Sequence, residues 1–144
     1  HLALAGDDDE PMDVRGSSPW NVDGVEFFID SRAEGSRVAG YTEGVSQNVL
    51  AAMRPGSVSE GNNAWTQPGD FAWQVRTRQG GYDMEIRIPA ERIRRAWTPT
   101  VGDSLRFDAY VNDRDSDGQS THRLWSTGSA SSSTSGYGVI VLGE

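Results

Sequence analysis

Tyr82-Asp83-Met84-Glu85-Ile86-Arg87-Ile88 sets four apolar side chains in strict alternation with three charged ones, directly after Gly80-Gly81. Successive side chains of an extended chain point to opposite faces, so Tyr82, Met84, Ile86 and Ile88 share one buried face. Asp83, Glu85 and Arg87 face water, and the glycine pair suits the tight turn before the strand. Leu105-Arg106-Phe107-Asp108-Ala109-Tyr110-Val111-Asn112 repeats the pattern. Val25, Phe27 and Ile29 follow the turn-like Asn21-Val22-Asp23-Gly24, and Phe71, Trp73 and Val75 alternate with Ala72, Gln74 and Arg76. Leu2 and Leu4 open the chain and Tyr137 to Leu142 close it with a short apolar run. Half-buried strands of this kind predict an all-β fold, an antiparallel β-sandwich. The sole helical candidate is Pro89 to Trp97, with Pro89 suited to the first turn and Thr98-Pro99 ending the run. Pro55 to Asp70 and Ser126 to Gly136 read as loops.

Working outward, 144 residues suffice for one domain with a core. The formal charge of -8 repels phosphate backbones, so nucleic acid is not an expected partner. No apolar run approaches the roughly 20 residues that span a bilayer, so no membrane partner is expected. The absence of cysteine removes disulfides, thiolate nucleophiles and zinc-thiolate sites.

The five tryptophans differ in setting. Trp73 and Trp125 lie in apolar or strand-like runs and Trp97 ends the helical candidate, so all three read as packing residues. Trp20, after Ser17-Ser18-Pro19, and Trp65, after Gly61-Asn62-Asn63-Ala64, sit in polar, turn-prone stretches. An exposed indole covers the C-H face of a sugar ring, while nearby carboxylates and amides bind its hydroxyls at defined angles. Trp20 and Trp65 are therefore candidate sugar contacts. The alternative is an aromatic cap over the sandwich edge.

Ser18-Pro19-Trp20-Asn21-Val22-Asp23-Gly24-Val25-Glu26-Phe27-Phe28-Ile29-Asp30, then Gly81 to Pro89, Val111-Asn112-Asp113, Trp125-Ser126 and Tyr137 to Leu142 follow in an order that resembles the family 9 carbohydrate-binding modules. The resemblance covers the whole chain and implies a single β-sandwich over residues 1–144 that binds polysaccharide or its oligosaccharides. Trp20 would supply one aromatic face of a sugar clamp, Glu26 a polar ligand contact on the adjacent strand, and Gln47 a matching position on the next. Two departures stand out: Val49 replaces an expected basic residue, and Ser131 replaces the expected second tryptophan. Half of the clamp is visible, with Trp65 or Ser131-Ser132-Ser133 as candidates to complete it. His1 to Ala5 resembles the later part of a strand that follows about two others in the family, so the chain reads as an N-terminally incomplete fragment. The family further implies a covalently linked catalytic domain, a β-glucan such as cellulose or a xylan as target, and a secreted or cell-surface parent.

Asp113-Arg114-Asp115-Ser116-Asp117-Gly118 alternates three carboxylates before a glycine and suits a structural Ca2+ ion, with a solvated turn as the alternative. It is not an EF-hand, since position twelve from Asp113 is Leu124. Asp9, in Asp7-Asp8-Asp9-Glu10, would form a second cation site if folding brought it near Asp30. For catalysis, Glu26, Glu85 and Asp108 are the carboxylates in strand-like positions, and no spacing selects an acid pair among them. His1 with His122 is the one candidate copper arrangement. Two readings follow: a noncatalytic polysaccharide-binding module, or a structural or protein-interaction sandwich with a decayed sugar site, in which Trp20 is indifferent to sugars.

Overall fold

In the computed structural model, which describes residues 1–7, 18–34, 40, 42, 44–52, 58–60, 72–93, 97–123, 130 and 132–143, the alternating runs become two antiparallel sheets. The smaller sheet has the order β1-β6-β5, from β1 (Leu2–Asp7), β5 (Ala72–Arg78) and β6 (Gly81–Arg87). The larger has the order β4-β3-β2-β7-β8, from β2 (Gly24–Asp30), β3 (Val45–Ala51), β4 (Val58–Glu60), β7 (Ser104–Asp115) and β8 (Gly118–Arg123), and β9 (Gly138–Val141) also pairs with β7. This is the expected all-β sandwich.

The layers meet through the faces that alternation assigned. Val25, Phe27 and Ile29 of β2, Leu50 of β3, and Leu105, Phe107 and Ala109 of β7 pack against Tyr82, Met84 and Ile86 of β6 in one core. Leu2, Leu4, Trp73, Val75, Ile88, Trp97 and Ile140 border it, so Trp73 and Trp97 are packing residues as expected. The indole Nε1 of Trp97 donates to Asp103 Oδ2 at 2.9 Å, which satisfies the one polar group of a part-buried ring. Opposite the core, Asp83, Glu85 and Arg87 are half-buried or exposed.

Three readings change. The expected loop at Pro55 to Asp70 contributes β4, a three-residue strand hydrogen-bonded to β3 from Leu50↔Val58 to Asn48↔Glu60. The helix spans only Ala90–Ile93 among the described residues. The acidic run after Val111 does not leave the sheet: β7 continues to Asp115 and returns as β8 through Ser116 and Asp117. Backbone pairing with β8 outweighs the turn-forming character of Asp and Asn at 112–115.

Gly81 is the tightest point between β1 and β6. Its φ is +145°, and a Cβ there would lie 2.0 Å from Gly6 O. Gly81→Ala combines an unfavourable backbone conformation with a backbone clash. It is expected to cost about 1–3 kcal/mol by loosening the β1 edge, read from the midpoint of denaturant unfolding. An unshifted midpoint would contradict this packing.

Candidate functional site

β2 and β3 are buried along their whole lengths, because both faces of these inner strands are covered. On the outer face Phe28, Tyr110 and Tyr137 cluster around Ala130, with Phe28 and Tyr110 rings 4.8 Å apart between centroids. Two tyrosine hydroxyls pin Ala130: Tyr137 Oη donates to its carbonyl at 2.8 Å, and its N–H donates to Tyr110 Oη. The end of the expected Ser126 to Gly136 loop is thus tied to the sheet.

Beside this cluster lies a polar row. Antiparallel register sets Glu26 opposite Val49 and Tyr110, Gln47 opposite Phe28, and Asn112 opposite Gly24, so all share the face pointing away from the core. Gln47 Nε2 donates to Glu26 Oε2 at 2.8 Å and Asn112 Nδ2 donates to Glu26 Oε1 at 2.8 Å. Thr121 of β8 donates from Oγ1 to Asn112 Oδ1 at 3.1 Å. Glu26 is only 7% exposed. Each carboxylate oxygen accepts one amide N–H, and a carboxylate has about four lone-pair sites, so acceptor capacity remains for donors arriving from solvent. The row joins Glu26 and Gln47, the two polar residues that the resemblance put on neighbouring strands. Asn112 and Thr121 were not anticipated: alternation in β7 puts Asn112 on the Tyr110 face, whereas the wholly polar Gly118–Arg123 gives no periodic signal for Thr121.

Trp20 belongs to a 3-10 turn, Pro19–Asn21, that contacts β2, β3 and β7, the strands bearing Glu26, Gln47 and Asn112. Pro19 pre-sets its first position. The turn is fastened on both sides: Asn21 N donates to Ser18 O at 2.9 Å, and the buried Asp23 accepts Ala52 N at its carbonyl (2.7 Å) and Arg114 N at Oδ1 (2.6 Å). Against this anchored backbone the indole is 43% exposed. A fixed backbone carrying a large exposed aromatic ring is suited to a flat apolar ligand face.

The remaining candidates separate. Asp30 is not available to a cation: Arg32 Nε donates to Oδ1 and Nη2 to Oδ2, each at 2.8 Å, and Arg32 N reaches Oδ1 at 3.2 Å. Those hydrogen bonds, and the charge of the carboxylate, hold the Arg32 guanidinium above its ordinary pKa although burial works the other way. Asp113 and Asp115 lie along β7 and Asp117 in the hairpin turn, an extended arrangement in place of the expected wrapped loop. Among the described residues no three acidic or histidine side chains gather into a group that fits Ca2+. Asp9, Trp65, Trp125 and Ser131 lie outside the described residues. His1 precedes β1 of the smaller sheet and His122 lies on β8 of the larger. Glu85 stands on the outer face of the smaller sheet, and Asp108, fully buried, accepts the Ala109 N–H at 2.9 Å. Neither provides an accessible second carboxylate beside Glu26.

The model of carbohydrate family 9 binding domain-like proteins matches residues 3–144. Endo-1,4-beta-xylanase A of Thermoanaerobacterium saccharolyticum is 27% identical over 136 residues, 92% of this chain and 10% of that protein. Endo-1,4-beta-xylanase A of Thermotoga maritima is 30% identical over 112 residues, 77% of this chain and again 10% of that protein. The chain therefore spans about a tenth of the length of these curated relatives. A family 9 carbohydrate binding module from Caldicellulosiruptor kristjanssonii, solved with cellotriose and with glucose, matches with a TM-score of 0.76 at 22% identity over 94% of this chain. The match covers 65% of the cellotriose-bound chain and 68% of the glucose-bound one, and shows a common fold.

Proposed function

The chain belongs to the carbohydrate family 9 binding domain-like family, and on that premise we propose that it is a noncatalytic module that binds polysaccharide and its oligosaccharides through Trp20 and the row centred on Glu26. The observation that carries the reading is the Glu26 carboxylate, held by Gln47 and Asn112 on the three strands that the turn bearing the exposed Trp20 contacts. Glu26 accepts ligand hydroxyls, the two amides complete a polar array of fixed direction, and Trp20 covers the C-H face of a pyranose ring. No bond is broken: of the strand carboxylates Glu85 and Asp108, the first lies on the other sheet and the second is fully buried, so neither pairs with Glu26 for two-carboxylate hydrolysis.

The xylanase relatives and the cellotriose- and glucose-bound module favour a β-glucan such as cellulose, or a xylan, as the target. We further propose a covalently linked catalytic domain and a secreted or cell-surface parent. A tethered module raises the local concentration of substrate around its enzyme without new chemistry. Among the described residues no helix is long and apolar enough to cross a membrane.

The test is calorimetry of the folded protein against cello- and xylo-oligosaccharides, with Trp20→Ala in parallel. Saturable binding is expected, weakened about tenfold by loss of the ring, a normal cost for an aromatic contact. A folded protein that binds neither series would favour the protein-interaction reading.

A further inference from the structure

We infer that Thr121, on β8, is a ligand-positioning residue that forms the outer end of the sugar-reading row and extends the site to a fourth strand. The inference rests on the carbohydrate reading of Glu26. A side-chain amide presents nearly the same shape in its two flipped orientations, so its direction is set by its partners. At Asn112 one partner is the acceptor Glu26 Oε1, 2.8 Å from Nδ2, and the other is Thr121 Oγ1, 3.1 Å from Oδ1. Flipping Asn112 would set its carbonyl oxygen against the carboxylate. The Thr121 hydroxyl proton, donated to that carbonyl, locks the orientation in which Asn112 feeds Glu26.

Two further features fit this role. Asn112 is 2% exposed, whereas Thr121 is exposed, so the hydroxyl is the point at which the buried amide meets solvent and ligand. With its proton committed inward, Thr121 Oγ1 offers only lone pairs outward and selects a ligand group that donates, such as a sugar hydroxyl. β7–β8 pairing sets Thr121 opposite Asn112, so the contact follows from strand register.

The experiment compares wild-type protein, Thr121→Val and Thr121→Ser by calorimetry with cellotriose and xylotriose, alongside NMR of the Asn112 side-chain amide and thermal unfolding. Valine keeps the β-branched shape and removes the hydroxyl; serine keeps the hydroxyl. Valine is expected to weaken binding about fivefold, the size of one neutral hydrogen bond, and to move the Asn112 amide signals while the protein stays folded at the temperature of the binding assay. Serine is expected to stay within about twofold of wild type. Wild-type binding with an equally tight valine variant, or serine as weak as valine, overturns the role of Thr121 and leaves the carbohydrate reading standing. Failure of the wild-type protein to bind either sugar overturns the carbohydrate reading and this inference with it.

Discussion

Glu26→Ala is expected to lower affinity for cello- or xylo-oligosaccharides by about 100-fold or more, while the protein remains folded. Hydrogen bonds to a charged group contribute about 1.5–3 kcal/mol each, and losing two acceptor contacts to sugar hydroxyls amounts to at least two factors of ten. The substitution also removes the common acceptor of Gln47 Nε2 and Asn112 Nδ2, so both amides lose their direction. Stability changes less than binding, because removing a 7%-exposed carboxylate relieves a desolvated charge while it leaves two amides short of a partner. Glu26→Gln sharpens the test: it preserves shape but presents an amide that cannot accept from both neighbours through both of its polar atoms. Its affinity is expected to fall about tenfold. Calorimetry reads both variants, and circular dichroism checks their fold. Affinity for Glu26→Ala within about threefold of wild type would exclude Glu26 as the centre of the site.

How far such a site can be read from sequence depends on which interactions leave a periodic trace. Strands with one face in the core announce themselves, as Gly81–Arg87 does through near-alternating burial, whereas in Ser104–Asp115 the alternating sequence hides Asp108 and Tyr110, which are buried on the other face. β3 carries Ser46, Gln47 and Asn48 inside a fully buried strand, where polarity records hydrogen bonding, to Glu26 and Phe27 of β2 and between Asn48 and Ser46 within β3, instead of exposure. β8 has no apolar alternation, so neither the strand nor Thr121 was visible until its pairing with β7 was known. The resemblance points to Trp20, Glu26 and Gln47 as candidates, because local order in the chain specifies them. Asn112 reaches Glu26 from 86 residues away, and no local spacing encodes that contact. Asp30 marks the opposite failure. Its acidity suggested a cation, yet the partner stands two residues later at Arg32, and their meeting depends on a turn that charge counting does not reveal.

Arg32→Ala is expected to be the most destabilising of these substitutions, at about 3–5 kcal/mol, because it strands a buried carboxylate. Asp30 is fully buried and receives two guanidinium donors in a bidentate pair. The same guanidinium donates to Thr42 Oγ1 at 2.9 Å and to the buried Thr134 Oγ1 at 3.2 Å, tying residue 134 to the end of β2. Its loss releases one of the fastenings of the segment that packs over Phe28 and Tyr110, beside the row centred on Glu26. Because the Arg32 pKa is raised on folding, the stabilisation it represents is complete below the ordinary arginine value and disappears only as pH rises through the still higher folded value. Its titration therefore leaves stability between about pH 5 and 9 unchanged, and the effect must be sought by substitution. Denaturant unfolding of Arg32→Ala, Asp30→Val and the Asp30→Val/Arg32→Met pair separates the contributions. The pair is expected to be more stable than Arg32→Ala, since two apolar side chains leave no uncompensated charge. A cost below about 1 kcal/mol for Arg32→Ala, or a double variant no better than the sum of the singles, would show that the ion pair is not what holds this end of the sheet.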